Sequence, residues 1–467
     1  MAEAIYDLVI IGGGPGGYMA SLRAAQLGLS VVCVEREPRL GGVCLREGCI
    51  PSKALLDSSE YVHLARERSA EHGIGVGEVT VDLPAMMARK DRVVGTLTDG
   101  VAKLLARNKV EVIHGTGRLA GPDRVTVTPA DGGAARELTG RAVLLATGSR
   151  SVEIPALPLD GKRVVDSTGA LTLDRIPEHL VVVGGGAIGL ELGSVWRRLG
   201  ARVTVVEALP RIAATLDGQI GRTLARFLKK QGLDLKVGTL VTGADTRGEQ
   251  IRLTLQAEGR EDEALDCDRV LVAVGRKPLT AGLGLEEAGV LLDKAGRVVV
   301  DAEYRTAVPS VFAIGDLIAG PMLAHKASAE GAAVAEILAG LPGEVNYDAV
   351  PSVIYTNPEV AAVGATEEQL KERGVPYVAG NFPFGGVGRA VCLGETEGMV
   401  KLLAHRESDR LLGAHIVGPR ASDLIAECVL AVEFAASAED LARTVHGHPT
   451  FGEGVMEAAA ALGHGRG

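Results

Sequence analysis

The sequence predicts an α/β protein with two copies of one strand–turn–helix–strand unit and a C-terminal domain of mixed α+β type. Two observations carry this. A Val/Ile-rich run, a glycine turn, an Ala-rich stretch and a second apolar run follow in that order over residues 7–35, and again over 180–207. After Pro342 the pattern changes. Apolar runs at 350–355 and 399–403 alternate with helical stretches at 366–373 and 421–436, and the glycine turn does not recur.

The turn explains the repeat. Gly12, Gly14 and Gly17 form G-x-G-x-x-G in the first unit, and Gly184, Gly186 and Gly189 form it in the second. Glu35 follows Gly17 at the interval by which Glu207 follows Gly189. One such turn alone is a weak signal; between a strand and a helix, with an acid about 20 residues on, it is a dinucleotide fingerprint. The first glycine makes the turn, the second admits a pyrophosphate, and the third lets helix pack on strand. The helix N-terminus attracts the anion. Both units are therefore expected to be Rossmann-like, each with its own dinucleotide. Glu207 favours the free 2′-hydroxyl of NAD over the 2′-phosphate of NADP, with Arg202 and Arg211 as nearby cations.

At 467 residues the chain has room for about three domains. The expected limits are 1–150 for the first dinucleotide domain, 151–278 for the second, 279–346 as the segment completing the first, and 347–467 for the last. A net charge of −10 repels nucleic acid and anionic membranes. No apolar run is long enough to span a bilayer, and residues 1–6 are short and partly acidic, unlike a signal peptide. A soluble cytoplasmic protein is expected.

Six cysteines in so long a chain do not make a disulfide scaffold. Cys33, Cys267, Cys392 and Cys428 stand singly in apolar stretches and read as inert buried residues. Cys44 and Cys49 differ: they are four residues apart, directly after the first unit. A regular helix would separate them by about 7.5 Å along its axis, whereas a disulfide needs Cα atoms about 4.4–6.8 Å apart. A redox pair thus requires a broken helix, for which Gly48 supplies freedom. A reduced pair or a zinc pair are the other readings, but no second cysteine pair with ligand spacing exists, and no metal is expected.

The run Gly41-Gly42-Val43-Cys44-Leu45-Arg46-Glu47-Gly48-Cys49-Ile50-Pro51-Ser52-Lys53 resembles the pyridine-nucleotide disulfide oxidoreductases, in particular their dihydrolipoamide-oxidising branch. Further stretches match in order: Ala146-Thr147-Gly148, Gly315-Asp316, Met322-Leu323-Ala324-His325-Lys326, Thr356-Asn357-Pro358-Glu359 and His446-Gly447-His448-Pro449-Thr450-Phe451-Gly452-Glu453. The resemblance covers essentially the whole chain. It departs at Val43, where Thr is usual, and at Arg46-Glu47, where Asn-Val is usual.

The resemblance implies a homodimer, with FAD on the first unit, NAD on the second and a C-terminal dimerisation domain. Glu35 would hold the FAD ribose and Asp316 the ribityl region, with Gly117, Thr147 and Ala324 nearby. Gly275 would lie beside NAD. Cys44 would meet substrate and Cys49 the flavin, with Lys53 near the flavin and paired with Glu191. His448 would be the base, oriented by Glu453, with a cis bond to Pro449 and facing the other subunit's cysteines. The partner would be a lipoyl-bearing protein of a 2-oxo acid dehydrogenase or glycine cleavage complex. Glutathione reductase-like enzymes usually prefer NADP. Mercuric reductase-like enzymes and larger thioredoxin reductases carry a C-terminal redox tail that this sequence does not show. A disulfide reductase with another small substrate, or a docking subunit of low turnover, are the remaining alternatives.

Overall fold

The computed structural model describes residues 5–463. The first four residues, part of the stretch considered as a leader, and the last four, part of the tail considered for a redox pair, lie outside that range.

The chain divides into two compact units. The first comprises Met1–Leu55, Pro84–Val152 and Gly275–Val345. Its centre is a sheet of five parallel strands in the order Glu111–Leu119, Val31–Glu35, Ile5–Ile11, Arg136–Leu145, Val311–Ala313. The strand Arg124–Pro129 pairs antiparallel with Glu111–Leu119 and with Arg136–Leu145. Parallel strands covered on both faces need continuous apolar runs, and Leu8, Val9, Ile10, Val32, Val143 and Leu144 are fully buried. The helix Pro15–Gln26 starts with Pro at its first position, where the missing N–H costs nothing. It packs on Ala324–Leu338 at a close crossing, where a Cβ at Gly331 would run into the Gly16 carbonyl. Arg23 and Glu336 close the far end with an ion pair of 2.6 Å.

The second unit comprises Leu56–Leu83, Glu153–Val274 and Asn346–Gly467. It repeats the parallel arrangement in the order Leu233–Val237, Arg202–Glu207, His179–Val183, Arg269–Val272, Val164–Val165. Three antiparallel strands, Thr239–Asp245, Ile251–Ala257 and Glu263–Cys267, are added to it in sequence. Its C-terminal part is an antiparallel sheet ordered Ser352–Ile354, Glu359–Gly364, Leu411–Gly418, Met399–His405, Tyr377–Pro383. Helices Ala421–Glu433 and Glu453–Gly463 pack on this sheet and bury Ile425, Cys428, Val455 and Leu462. The expected strands and helices after Pro342 are present. The stretch 56–83 groups with this second unit through contacts such as Arg198–Glu60, at 2.9 Å.

One cysteine departs from expectation. Cys33, Cys267 and Cys428 are buried, but Cys392 is exposed. It lies on the short helix Gly388–Leu393, whose inward residue is Ala390, and one turn of helix cannot bury every apolar side chain it carries.

Candidate active site

The two glycine turns are built alike. Gly12 has φ +109° and Gly184 φ +113°, which only glycine adopts freely. Cβ atoms there would strike the carbonyls of Ala146 and Ala273 on the neighbouring strands. A Cβ on Gly17 or Gly189 would strike the carbonyl of its own turn's first glycine. The middle glycines face space instead: nothing lies within 4 Å of a Cβ on Gly186, and only Gly42 Cα, at 3.7 Å, near one on Gly14. Each opens a helix of at least twelve residues, Pro15–Gln26 and Ala187–Leu199.

The acids close both turns in the same way. Glu35 accepts from Gly13 N at 2.7 Å and Glu37 N at 2.9 Å. Glu207 accepts from Gly185 N at 2.6 Å and Leu209 N at 2.7 Å. A carboxylate has about four acceptor directions, so each retains capacity for ribose hydroxyls. Open middle glycines, helix N-termini and acceptor carboxylates fit a dinucleotide in both units.

Asp316 follows Gly315 at the end of the strand Val311–Ala313 and accepts a short hydrogen bond from Ser149 Oγ. Arg276 holds Ser149 through Oγ at 2.8 Å and its carbonyl at 2.7 Å. Beneath them Lys326 and Glu330 form a fully buried ion pair of 2.9 Å. Glu330 accepts from Gly315 N at 2.7 Å, and Lys326 donates to Gly315 O at 3.1 Å. Glu330→Ala is expected to cost about 3–5 kcal/mol, because it strands a buried ammonium. The double change Lys326→Met/Glu330→Leu should recover most of that in urea unfolding; no recovery would refute a paired-charge role.

Thr147 Oγ1 donates to Leu279 O at 2.8 Å. Gly117 lies on Glu111–Leu119, where a Cβ would meet Ile11 Cγ2 at 3.1 Å, and Ala324 is the first residue of Ala324–Leu338. In the second unit, Glu191 is buried and accepts from Tyr355 N at 3.0 Å. Gly275 has φ +128°.

Cys44 and Cys49 sit on either side of a helix break. Cys44 is in Gly42–Glu47, Gly48 leaves the helix with φ −137° and ψ −110°, and Cys49 starts Cys49–His63. A Cβ at Gly48 would lie 2.8 Å from Val43 O. The cysteines are thiols here, and Cys44 is hydrogen-bonded to Cys49. That bond, then burial, then negative charge on Cys49 push the Cys44 ionisation up, while Lys53 opposes the rise.

His448 Nδ1 and Glu453 Oε1 are 2.8 Å apart. Glu453 Oε2 accepts from Thr450 N at 2.8 Å. The bond with His448, followed by that with Thr450, holds the Glu453 carboxyl below its ordinary range. The imidazole itself is 78% exposed. The His448–Pro449 bond is cis, as the resemblance implies.

A family model described as pyridine nucleotide-disulphide oxidoreductase matches residues 6–331, and one for the dimerisation domain of that family matches 350–459. The chain belongs to this family. Dihydrolipoyl dehydrogenase 1, mitochondrial, of Arabidopsis thaliana is 50% identical over 456 residues, covering 97% of this chain and 90% of that protein. The human dihydrolipoyl dehydrogenase, mitochondrial, is 47% identical over 464 residues, covering 98% and 91%. The crystal structure of LpdA from Mycobacterium tuberculosis aligns with TM-score 0.91 at 28% identity, covering 98% of this chain and all of that one.

These relatives correct one expectation. Both dihydrolipoyl dehydrogenases are named mitochondrial, so a cytoplasmic location does not stand. Net charge and cysteine spacing carry no signal that distinguishes one aqueous compartment from another.

Several contacts around this oxidoreductase site escaped the sequence reading. Ser149 and Arg276 have no motif of their own. Lys326 and Glu330 carry the i,i+4 spacing of a solvent-exposed helix pair. His446 was a visible signal, two residues before His448: it binds Glu427 at 2.6 Å and Thr444 O at 2.8 Å, tying the loop to Ala421–Glu433.

Proposed function

We propose that this chain is an NAD-dependent, FAD-containing dihydrolipoyl dehydrogenase, serving a lipoyl-bearing protein of a 2-oxo acid dehydrogenase or glycine cleavage complex. The observation that carries the reading is the Cys44–Cys49 thiol pair, bonded across the Gly48 break beside a dinucleotide turn. The protein is a homodimer, formed through its dimerisation domain. Crossings between the two compact units at 152/153, 274/275 and 345/346 support domain limits near 150, 278 and 346.

FAD, when bound, supplies the two-electron link between a dithiol and NAD. Gly12, Gly14, Gly17, Glu35, Gly117, Thr147, Asp316 and Ala324 would hold it. Lys53 would favour its electron-rich form. Gly184, Gly186, Gly189, Glu207 and Gly275 would hold NAD.

The chain's own chemistry is thiol exchange. His448 takes a proton from one thiol of dihydrolipoamide. The thiolate attacks Cys44 sulfur, the Cys44–Cys49 bond breaks, and Cys49 leaves as thiolate. The second substrate thiol then attacks the substrate sulfur of the mixed disulfide, the bond to Cys44 breaks, and the second proton passes to the departing Cys44 sulfur. Oxidised lipoamide departs, and two electrons remain on the cysteines. Glu453 orients the imidazole and stabilises its charged form.

Steady-state assays with dihydrolipoamide and either coenzyme test the reading. NAD should clearly outperform NADP. Arg211, the nearby cation best placed in sequence to meet a 2′-phosphate, already binds Ala214 O at 2.9 Å and Leu216 O at 3.2 Å. Arg202 begins the strand that Glu207 ends. Glu207→Ala should weaken NAD by about tenfold through loss of a charged acceptor and narrow the gap. Equal efficiencies in the unmodified enzyme would end this assignment.

The two thiols offer a second test. In the chain Cys49 is exposed and Cys44 half-buried, with the Cys44 ionisation raised. The proposed roles demand that in the reduced, FAD-loaded dimer Cys44 alkylates first. Faster labelling of Cys49 there would reverse the roles.

A further inference from the structure

We propose that Glu37 and Glu47 are the counter-ions of Arg46, and that this charge cluster sets the balance between the dithiol and disulfide forms of Cys44 and Cys49. The inference rests on the redox reading of that pair.

Arg46 stands between the cysteines in sequence, two residues from Cys44 and three from Cys49, in the last turn of the helix that carries Cys44. Its side chain is only 17% exposed. One guanidinium nitrogen is 3.2 Å from Glu37 and another 3.4 Å from Glu47, while Nε is buried with no hydrogen-bond partner. Its position therefore depends on these two ion pairs. Glu37 is anchored independently. Its N–H donates to Glu35, its carbonyl meets His114 Nδ1 at 2.9 Å, and Arg36 donates to its other carboxylate oxygen at 3.1 Å. The anion thus stays in place whether or not Arg46 is there.

Partial burial matters because a charge in low dielectric acts on its neighbours over a longer range. The disulfide is neutral, whereas the reduced pair holds a thiolate. A nearby cation stabilises the reduced form and a nearby anion opposes it. Lys53 already acts as such a cation on Cys44. With Arg36, which also pairs with Glu37, the cluster holds two cations and two anions and is neutral overall. Without the Glu37 charge it carries one net positive charge, with one anion fewer to offset the guanidinium. Without Arg46 it carries one net negative charge. The two single changes must therefore push the equilibrium in opposite directions, and a change that only loosened the loop would not.

The experiment equilibrates the FAD-loaded dimer with reduced and oxidised dithiothreitol, then counts free Cys44 and Cys49 by acid quench, alkylation and mass spectrometry. The reagent gives two electrons and two protons as its own ring disulfide closes. The protein S–S bond breaks, and one of the two protons passes to solvent as the thiolate forms. Glu37→Gln should shift the equilibrium constant towards dithiol by about three- to tenfold, the range for a unit charge several ångströms away at moderate dielectric. Arg46→Met should shift it a similar factor towards disulfide. The double variant, which restores the net charge, should fall within about twofold of the unmodified protein. Glu47→Gln, expected to act like Glu37→Gln, replaces it if that variant does not fold. Shifts of the same sign, or none, overturn the cluster's role while the redox pair stands. If the unmodified dimer never forms the disulfide, the redox reading falls, and this inference with it.

Discussion

Cys44→Ser and Cys49→Ser are each expected to lower dihydrolipoamide-dependent NAD reduction by at least about 10⁴-fold, because nothing else in the site can replace a covalent partner. A serine hydroxyl forms no disulfide, so the electrons have no route off the substrate. Flavin should remain bound. The Gly12 turn is shaped by strand contacts to Ala146, Glu35 is held by Gly13 and Glu37, and Asp316 is held by Ser149, none of which involves either sulfur. Flavin absorbance after gel filtration and NADH formation, measured on one preparation, separate the two properties. Turnover above about 1% in either variant would mean that the pair is not an obligatory relay.

His448→Gln should lower kcat/KM by about 10²–10⁴-fold, the usual worth of a positioned base. The more informative experiment mixes such chains with Cys44→Ser chains. If His448 serves the partner's cysteines, a mixed dimer has one site with both lesions and one with neither. With full exchange about half of all dimers are mixed, so about a quarter of the unmodified activity should return. Neither parent dimer should show it. Subunit exchange proven by mass, without recovered activity, would mean that His448 serves its own chain or has another role. Glu453→Ala is a milder lesion. It removes the 2.8 Å bond to Nδ1 and the acceptor for Thr450 N, so the imidazole loses its orientation but remains present.

The glycine turns were legible because their requirement is local. A backbone at φ +109° or +113°, or a carbonyl in the path of a Cβ, admits only glycine, and that leaves a spaced mark in the chain. The acids that end the second strands are equally local, since each reaches back to its own turn. His448 and Glu453 are five residues apart and were found as one stretch. The break between Cys44 and Cys49 followed from helix rise and disulfide geometry, and Gly48 is where the helix interrupts.

Other features depend on residues far apart in the chain. Arg276 and Ser149 are 127 residues apart, and Ser149 and Asp316 are 167 apart, so no spacing announces the bonds that hold Asp316. Lys326 and Glu330 have an ordinary helical spacing; only packing, which leaves both side chains with no solvent exposure, turns them into a brace for Gly315. Cys392 has an apolar neighbourhood in sequence and an exposed place in the fold. The assignment of 56–83 to the second unit, and the two glutamates that neutralise Arg46, were likewise decided by which surfaces meet. Sequence alone determined the turns, the cysteines on either side of Gly48 and the His–Glu loop, because backbone conformation and short-range hydrogen bonds select residue types directly. Tertiary structure alone decided burial, counter-ions and the support of Asp316, because these depend on distances that many different sequences could satisfy.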